Sequence, residues 1–60
     1  MNISDKNNYI QGLVDLLNFK RGYNISFSGL YKDIIINGIR YKCKEGLYKI
    51  KDYIIKEGLQ

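Results

Sequence analysis

Asn37-Gly38 lies between two β-rich runs, Asp33-Ile34-Ile35-Ile36 and Ile39-Arg40-Tyr41-Lys42-Cys43. A two-residue type I′ hairpin turn needs positive φ at both central positions, which Asn and Gly adopt at least cost. Such a turn dictates the register: Ile36 faces Ile39, Ile35 faces Arg40, Ile34 faces Tyr41, and Asp33 faces Lys42. Side chains alternate across a sheet. Ile34, Ile36, Ile39, Tyr41 and Cys43 are therefore expected on the core face, and Asp33, Ile35, Arg40, Lys42 and Lys44 on the other. A slip of one residue would bury Arg40 and Lys42, so the register is strongly specified. Asp33 and Lys42 form an opposite-charge cross-strand pair, worth about 0.2–1 kcal/mol. Ile35 is the apolar exception on a polar face.

Helical periodicity flanks this hairpin. Ile10, Leu13, Val14 and Leu17 recur at helical spacing, widened by Tyr9 and Leu16, with Asn8, Gln11, Asp15 and Asn18 facing away. Ser4 fits an N-cap, Asp5 suits the positive end of the helix dipole, and Lys20 and Arg21 suit the negative end. Gly22 is the expected stop, giving a helix over about 5–20. Gly12 weakens the middle of this helix and marks a position for close helix–sheet approach. Tyr23, Ile25 and Phe27 then alternate with Asn24, Ser26 and Ser28, the pattern of a half-buried strand. Ser28-Gly29 turns the chain through Leu30 and Tyr31 into the hairpin. Lys44-Glu45-Gly46 is expected to break the last strand before a helix over about 46–57. Leu47, Ile50 and Ile54 make the inner stripe of that helix, with Tyr48, Ile55 and Tyr53 on its flanks and Lys49, Asp52 and Lys56 outward. Gly58 ends it, and Leu59 is placed to fold back as the apolar contact of a Schellman cap.

The expected fold is α+β: a three-stranded antiparallel meander with two helices on one face, in the order α-β-β-β-α, as a single domain over 1–60. A chain this short buries only about 60% of its unfolded surface. Its single cysteine, Cys43, cannot close an internal disulfide, and no histidine joins it in a zinc site. Packing and self-association remain as sources of stability. The two helices carry more apolar surface than one small sheet can cover. Patches around Tyr9, Leu16 and Phe19, or around Tyr48, Ile55 and Leu59, are therefore expected at the surface.

Composition narrows the chemistry. Histidine, the commonest general base, is absent. The six carboxylates, Asp5, Asp15, Asp33, Glu45, Asp52 and Glu57, are scattered, and no glycine-rich phosphate loop occurs. An enzyme is not expected, and neither a cofactor nor a metal is implied. No apolar run approaches the roughly 18 residues of a membrane span. The N-terminus lacks the basic-then-apolar layout of a signal peptide, so a cytoplasmic protein is expected. Ten Lys/Arg against six Asp/Glu give a net charge of +4, compatible with nucleic acid or an acidic protein as partner. Ile, Lys, Asn and Tyr have AT-rich codons and supply half of the chain, pointing to an AT-rich genome such as that of a low-GC bacterium or its phages.

The α-β-β-β-α order resembles the double-stranded-RNA-binding domain and the small toxin of HicA-type toxin–antitoxin pairs. The rhythm of Gly46-Leu47-Tyr48-Lys49-Ile50-Lys51-Asp52-Tyr53-Ile54-Ile55-Lys56-Glu57-Gly58-Leu59 is similar to that toxin's last helix. The toxin's catalytic histidine has no counterpart here, and the lysine cluster of the RNA-binding domain is reduced to Lys44 and Lys49. Met1-Asn2-Ile3, Tyr23-Asn24-Ile25-Ser26-Phe27-Ser28-Gly29 and the Asn-Gly hairpin also resemble the layout of small phage-encoded anti-CRISPR inhibitors. That resemblance implies a non-enzymatic protein which inhibits a host defence nuclease complex by protein–protein contact, in the host cytoplasm.

Two contact surfaces follow. A protein partner would meet the sheet face through Ile35, Arg40 and Lys42 and the helix flank through Tyr48 and Ile55. The alternative partner, nucleic acid, would meet Lys20, Arg21, Arg40, Lys42 and Lys44 through its phosphates. Tyr31 and Tyr48 are the candidate aromatic platforms beside these charges. A second copy of the chain is a further expected partner.

Overall fold

A computed structural model describes the backbone of residues 3–59 and the side chains of 5–59. Helix α1 (Ile3–Arg21) leads into strands β1 (Ile25–Ser28), β2 (Asp33–Ile36) and β3 (Ile39–Lys42), and helix α2 (Cys43–Lys56) follows. The strands form an antiparallel meander in the order β1-β2-β3. Asn37 and Gly38 have φ of 50° and 88°, the type I′ geometry. The register is the one the turn demands: Asp33↔Lys42, Ile34↔Tyr41, Ile35↔Arg40 and Ile36↔Ile39.

Both helices cover one face of the sheet. Ile10, Val14 and Leu17 of α1, Ile25 of β1, Ile34 and Ile36 of β2, and Ile50 and Ile54 of α2 form a single buried core. The opposite face carries Ser26, Asp33, Ile35, Arg40 and Lys42. Asp33 sits directly across from Lys42, but its closest ion pair is diagonal, with Arg40 Nε 3.4 Å from Asp33 Oδ2.

Four details differ from the sequence expectation. Ile39 lies on the inner face by register but is 58% exposed. It begins an edge strand beside the turn, where neither helix covers it. Cys43 and Lys44 are not strand residues: α2 starts at Cys43, directly after Lys42, with no intervening loop. Lys42 caps it in extended conformation (φ −65°, ψ 151°). Lys44 and Glu45 therefore lie in the first helical turn rather than breaking a strand. The same second difference, an early helix start, holds for α1, which begins at Ile3 and so puts Ser4 inside the helix; the Ser4 side chain lies outside the described residues.

The third difference concerns glycine. Gly12 is exposed, with nothing near the position a Cβ would take. The close approach is at Gly46, where a Cβ would sit 2.8 Å from Ile34 Cβ and 3.0 Å from its Cδ1. Gly46 is thus the contact at which α2 rests on the central strand.

The fourth difference is Asn18, which faces β1 instead of solvent. Its Nδ2 donates to the Ile25 carbonyl at 2.9 Å, and the Ile25 N–H donates to its Oδ1 at 3.1 Å. The Asn37 N–H donates to the Asn24 carbonyl at 2.9 Å, so in the alternating antiparallel pattern the polar groups of Ile25 point to the outer edge of β1. One amide side chain satisfies both, as a neighbouring strand would. Asn18→Ala removes two hydrogen bonds and strands two half-buried backbone groups, each bond worth about 0.5–1.5 kcal/mol. The expected loss is about 2 kcal/mol, or a fall in Tm of roughly 10 °C at this size, read by circular dichroism. An unchanged Tm would mean that water replaces the amide freely.

Both helices end on glycine in the left-handed region. The Gly22 N–H donates to the Asn18 carbonyl at 3.1 Å. At the end of α2, Gly58 donates to Ile55 at 3.1 Å and Leu59 to Ile54 at 3.0 Å, the Schellman pattern, with Leu59 packed on the core.

Candidate functional site

The fold redistributes the sequence's candidate residues. Ile35, Arg40 and Lys42 share the open sheet face as expected, with Ile35 half-buried and the two cations exposed. Tyr48 and Ile55 are 67% and 59% exposed, but on the helical layer, which covers the other side of the sheet. These five residues therefore form two surfaces on opposite layers.

The cationic set also divides. Lys20 and Arg21 close the last turn of α1. Arg21 is spoken for there: Nη2 donates to the Glu57 carbonyl at 3.1 Å, Nη1 to the Lys20 carbonyl at 3.1 Å, and Nε lies 4.0 Å from Glu57 Oε1. Tyr23 and Tyr53 join this cluster with ring centroids 5.1 Å apart. The Tyr23 phenol titrates above its usual range, first because of burial, then because the adjacent Glu57 carboxylate repels and hydrogen-bonds it, with Tyr53 contributing last. This corner ties the two helix ends together.

At the opposite end of α1 the remaining cations converge with two that spacing did not reveal. One cleft, of about 440 Å³, is lined by Tyr31, Lys32, Asp33, Arg40, Tyr41 and Lys42. A second, of about 410 Å³, is lined by Lys6, Asn7, Ile10, Lys32, Cys43 and Lys44. Lys32 is common to both. Five cations from α1, the β1–β2 turn, β3 and α2 thus surround two adjoining clefts, and Asp33 is the carboxylate that lines the first of them. Lys20 lies fourteen residues from Lys6, about 21 Å along the helix axis. It belongs to the other end of the molecule.

The turn that delivers Lys32 is built for its position. The Tyr31 N–H donates to Ser28 Oγ at 3.2 Å, and the Lys32 carbonyl accepts from the Cys43 N–H at 3.0 Å. Lys32 has φ of 57°, the left-handed region that Gly or Asn enters at lower cost. A lysine there costs about 1 kcal/mol or more, and such backbone strain clusters at functional sites. Leu30 and Tyr31 do not lead into β2 but project from this turn, 81% and 77% exposed. Tyr41, in contrast, is half-buried, and Lys49 Nζ sits 4.9 Å from the centre of its ring.

A third concavity lies between the helices. Tyr9, Leu13 and Leu16 of α1 and Lys51, Ile54 and Ile55 of α2 line it together with Leu59. The two apolar patches expected from sequence meet here in part, Tyr9 and Leu16 from one and Ile55 and Leu59 from the other, while Phe19, 91% exposed, and Tyr48, 67% exposed, do not line it. Among the described residues, no group of three or more His, Cys, Asp or Glu side chains is placed to hold a metal ion. No described helix is long and apolar enough to cross a membrane.

No residue of the clefts is a histidine or a paired carboxylate. What the clefts offer chemically is positive charge, an exposed phenol ring and a half-buried thiol. Comparison of the chain with family models, curated proteins and solved structures returns no match in any of the three.

Proposed function

We propose that this chain is a non-enzymatic binding protein whose paired basic clefts engage the phosphate backbone of a nucleic acid. The observation that carries the proposal is the convergence of Lys6, Lys32, Arg40, Lys42 and Lys44 on two clefts sharing Lys32. Four separate elements contribute these cations, and the shared lysine holds a costly backbone conformation. A charge pattern that served solubility alone would scatter cations over the surface. In this reading Lys6 and Lys32, which line the clefts, take the place of Lys20 and Arg21 in the sequence-derived set.

Binding of this kind follows counterion release, with a slope of log K against log salt near −0.7 per contact for single strands and −0.9 for duplexes. With Arg40 held by Asp33, the other four cations set a slope of about −3. Raising salt from about 50 to 200 mM should weaken binding roughly 50-fold, measured by fluorescence anisotropy with labelled oligonucleotides. A flat salt dependence, or no binding at low salt, would remove nucleic acid as the partner.

Contact with a host protein complex, such as a defence nuclease inhibited by a phage protein, is the second proposal. It rests on the apolar groove between α1 and α2. The two part company in the same titration, because an apolar contact persists at salt concentrations that dissolve phosphate contacts.

A further inference from the structure

We infer that the clefts take a single-stranded polynucleotide, with a phosphate seated among Lys6, Lys32 and Lys44 above Cys43 and a neighbouring base stacked on Tyr31. This rests on the nucleic-acid reading above and goes beyond it by naming the form of the ligand.

Three observations favour a single strand over a duplex. First, Tyr31 stands 77% exposed at the rim of the cleft lined by Lys32, Arg40 and Lys42. A ring beside cations is a platform for a base, and a base can reach it only when unstacked from its own helix. Second, neither helix presents a uniformly basic face to a duplex groove. The exposed residues of α1 mix Asp5 and Asp15 with Lys6, Lys20 and Arg21, and those of α2 mix Glu45 and Asp52 with Lys44, Lys51 and Lys56. A helix entering a major groove passes between two phosphate walls, where exposed carboxylates are repelled. Third, the cations are closely spaced. Lys42 and Lys44 flank Cys43, at most about 7 Å apart along the chain, and Lys32 serves both clefts. A strand crossing the junction would meet both clefts within a few nucleotides.

Tyr48, the other aromatic candidate, lines neither cleft. The single stacking position is therefore assigned to Tyr31. Leu30, beside it and 81% exposed, extends the apolar edge of the same turn.

The test uses the full chain, short fluorescein-labelled oligothymidylate and oligouridylate, and a blunt DNA duplex of equal length, all at one low salt concentration. Either single strand should bind more tightly than the duplex. Tyr31→Ala should weaken the single strand about tenfold, the scale of one lost stacking contact, and leave duplex binding unchanged. Tyr31→Phe should restore it. Cys43 is the chain's one cysteine, so its alkylation by a maleimide reports on the phosphate seat and should slow when the single strand is bound. Tyr31 is exposed, and circular dichroism should show the variants folded. Equal or tighter duplex binding, a silent Tyr31→Ala, or an unprotected Cys43 would overturn the single-strand assignment while leaving the basic clefts as a nucleic-acid site. Failure of every oligonucleotide to bind would overturn the clefts' role itself.

Discussion

Replacing Gly46 by leucine is expected to leave the chain without a cooperative unfolding transition, and even alanine should destabilise it. A Cβ at this position would stand 2.8 Å from Ile34 Cβ and 3.0 Å from Ile34 Cδ1. Ile34 is fully buried on the central strand, so its Cβ cannot step aside. Relief requires α2 to lift from the sheet, opening the contact between Ile34, Ile50 and Ile54. Overpacking of this kind costs about 1–3 kcal/mol. Alanine recovers close to 1 kcal/mol through its better helix propensity. The net for Gly46→Ala is a loss of up to about 2 kcal/mol. Leucine adds three further carbon atoms to the same contact, at a cost of more than about 4 kcal/mol, against a total stability of roughly 3–9 kcal/mol for 60 residues. Gly12→Ala is the control. Its position is exposed and open, and the same substitution there should stabilise by close to 1 kcal/mol. Urea unfolding followed by circular dichroism reads both. If Gly46→Ala gains stability as Gly12→Ala does, α2 is not seated on Ile34 as described.

The second large effect is on binding. Lys6→Gln, Lys32→Gln and Lys44→Gln together strip the cleft above Cys43 of its cations while leaving Arg40 and Lys42 in place. At a slope near −0.7 per contact, three lost contacts weaken binding at about 50 mM salt by two to three orders of magnitude, and the salt slope falls to about −1. All three lysines are exposed, so the fold should persist. The matched control is Lys20→Gln with Lys49→Gln and Lys56→Gln, which removes the same charge from residues that line neither cleft. If the two triple variants lose affinity equally, the effect is one of net charge and the clefts have no special part in it.

What was legible in the sequence, and what was not, divides by range. The hairpin register was fully legible, because φ at Asn37 and Gly38 is a local property and a two-residue turn permits one pairing. The element order and the inner stripes of both helices were legible for the same reason, since periodicity is local. The start of α2 was not. Alternation runs through Ile39, Tyr41 and Cys43, and Cys43 satisfies a strand pattern and a helix pattern equally well. Gly46 read as a breaker because its missing side chain has meaning only once Ile34 lies beneath it. Gly12 read as a close approach with as much local reason, yet it meets solvent. Asn18 looked like any polar residue on a wet helical face until β1 arrived beside it.

The candidate site shows the same division. Arg40 and Lys42 were visible as a period-two repeat on one strand, and that repeat holds. Extending it to Lys44 as a strand residue did not hold, since the helix rather than the strand brings Lys44 to the second cleft. Lys6 and Lys32 carry no signal in the chain's order. They lie twenty-six positions apart and meet only because α1 descends toward the turn that precedes β2. The left-handed backbone at Lys32 is equally silent in sequence, because the position holds lysine and not the Gly or Asn that would signal positive φ.

The junction between β3 and α2 has a consequence for how a ligand would be received. Lys42 ends the strand, Cys43 opens the helix, and the Cys43 N–H is held by the Lys32 carbonyl at 3.0 Å. Sheet, turn and helix are thus riveted at one point with no slack chain between them. A guest gripping Lys32, Lys42 and Lys44 has little backbone to freeze, so little ordering entropy is subtracted from its affinity. Amide exchange around this joint should therefore be slow in the empty protein already, and occupancy should slow it further only slightly.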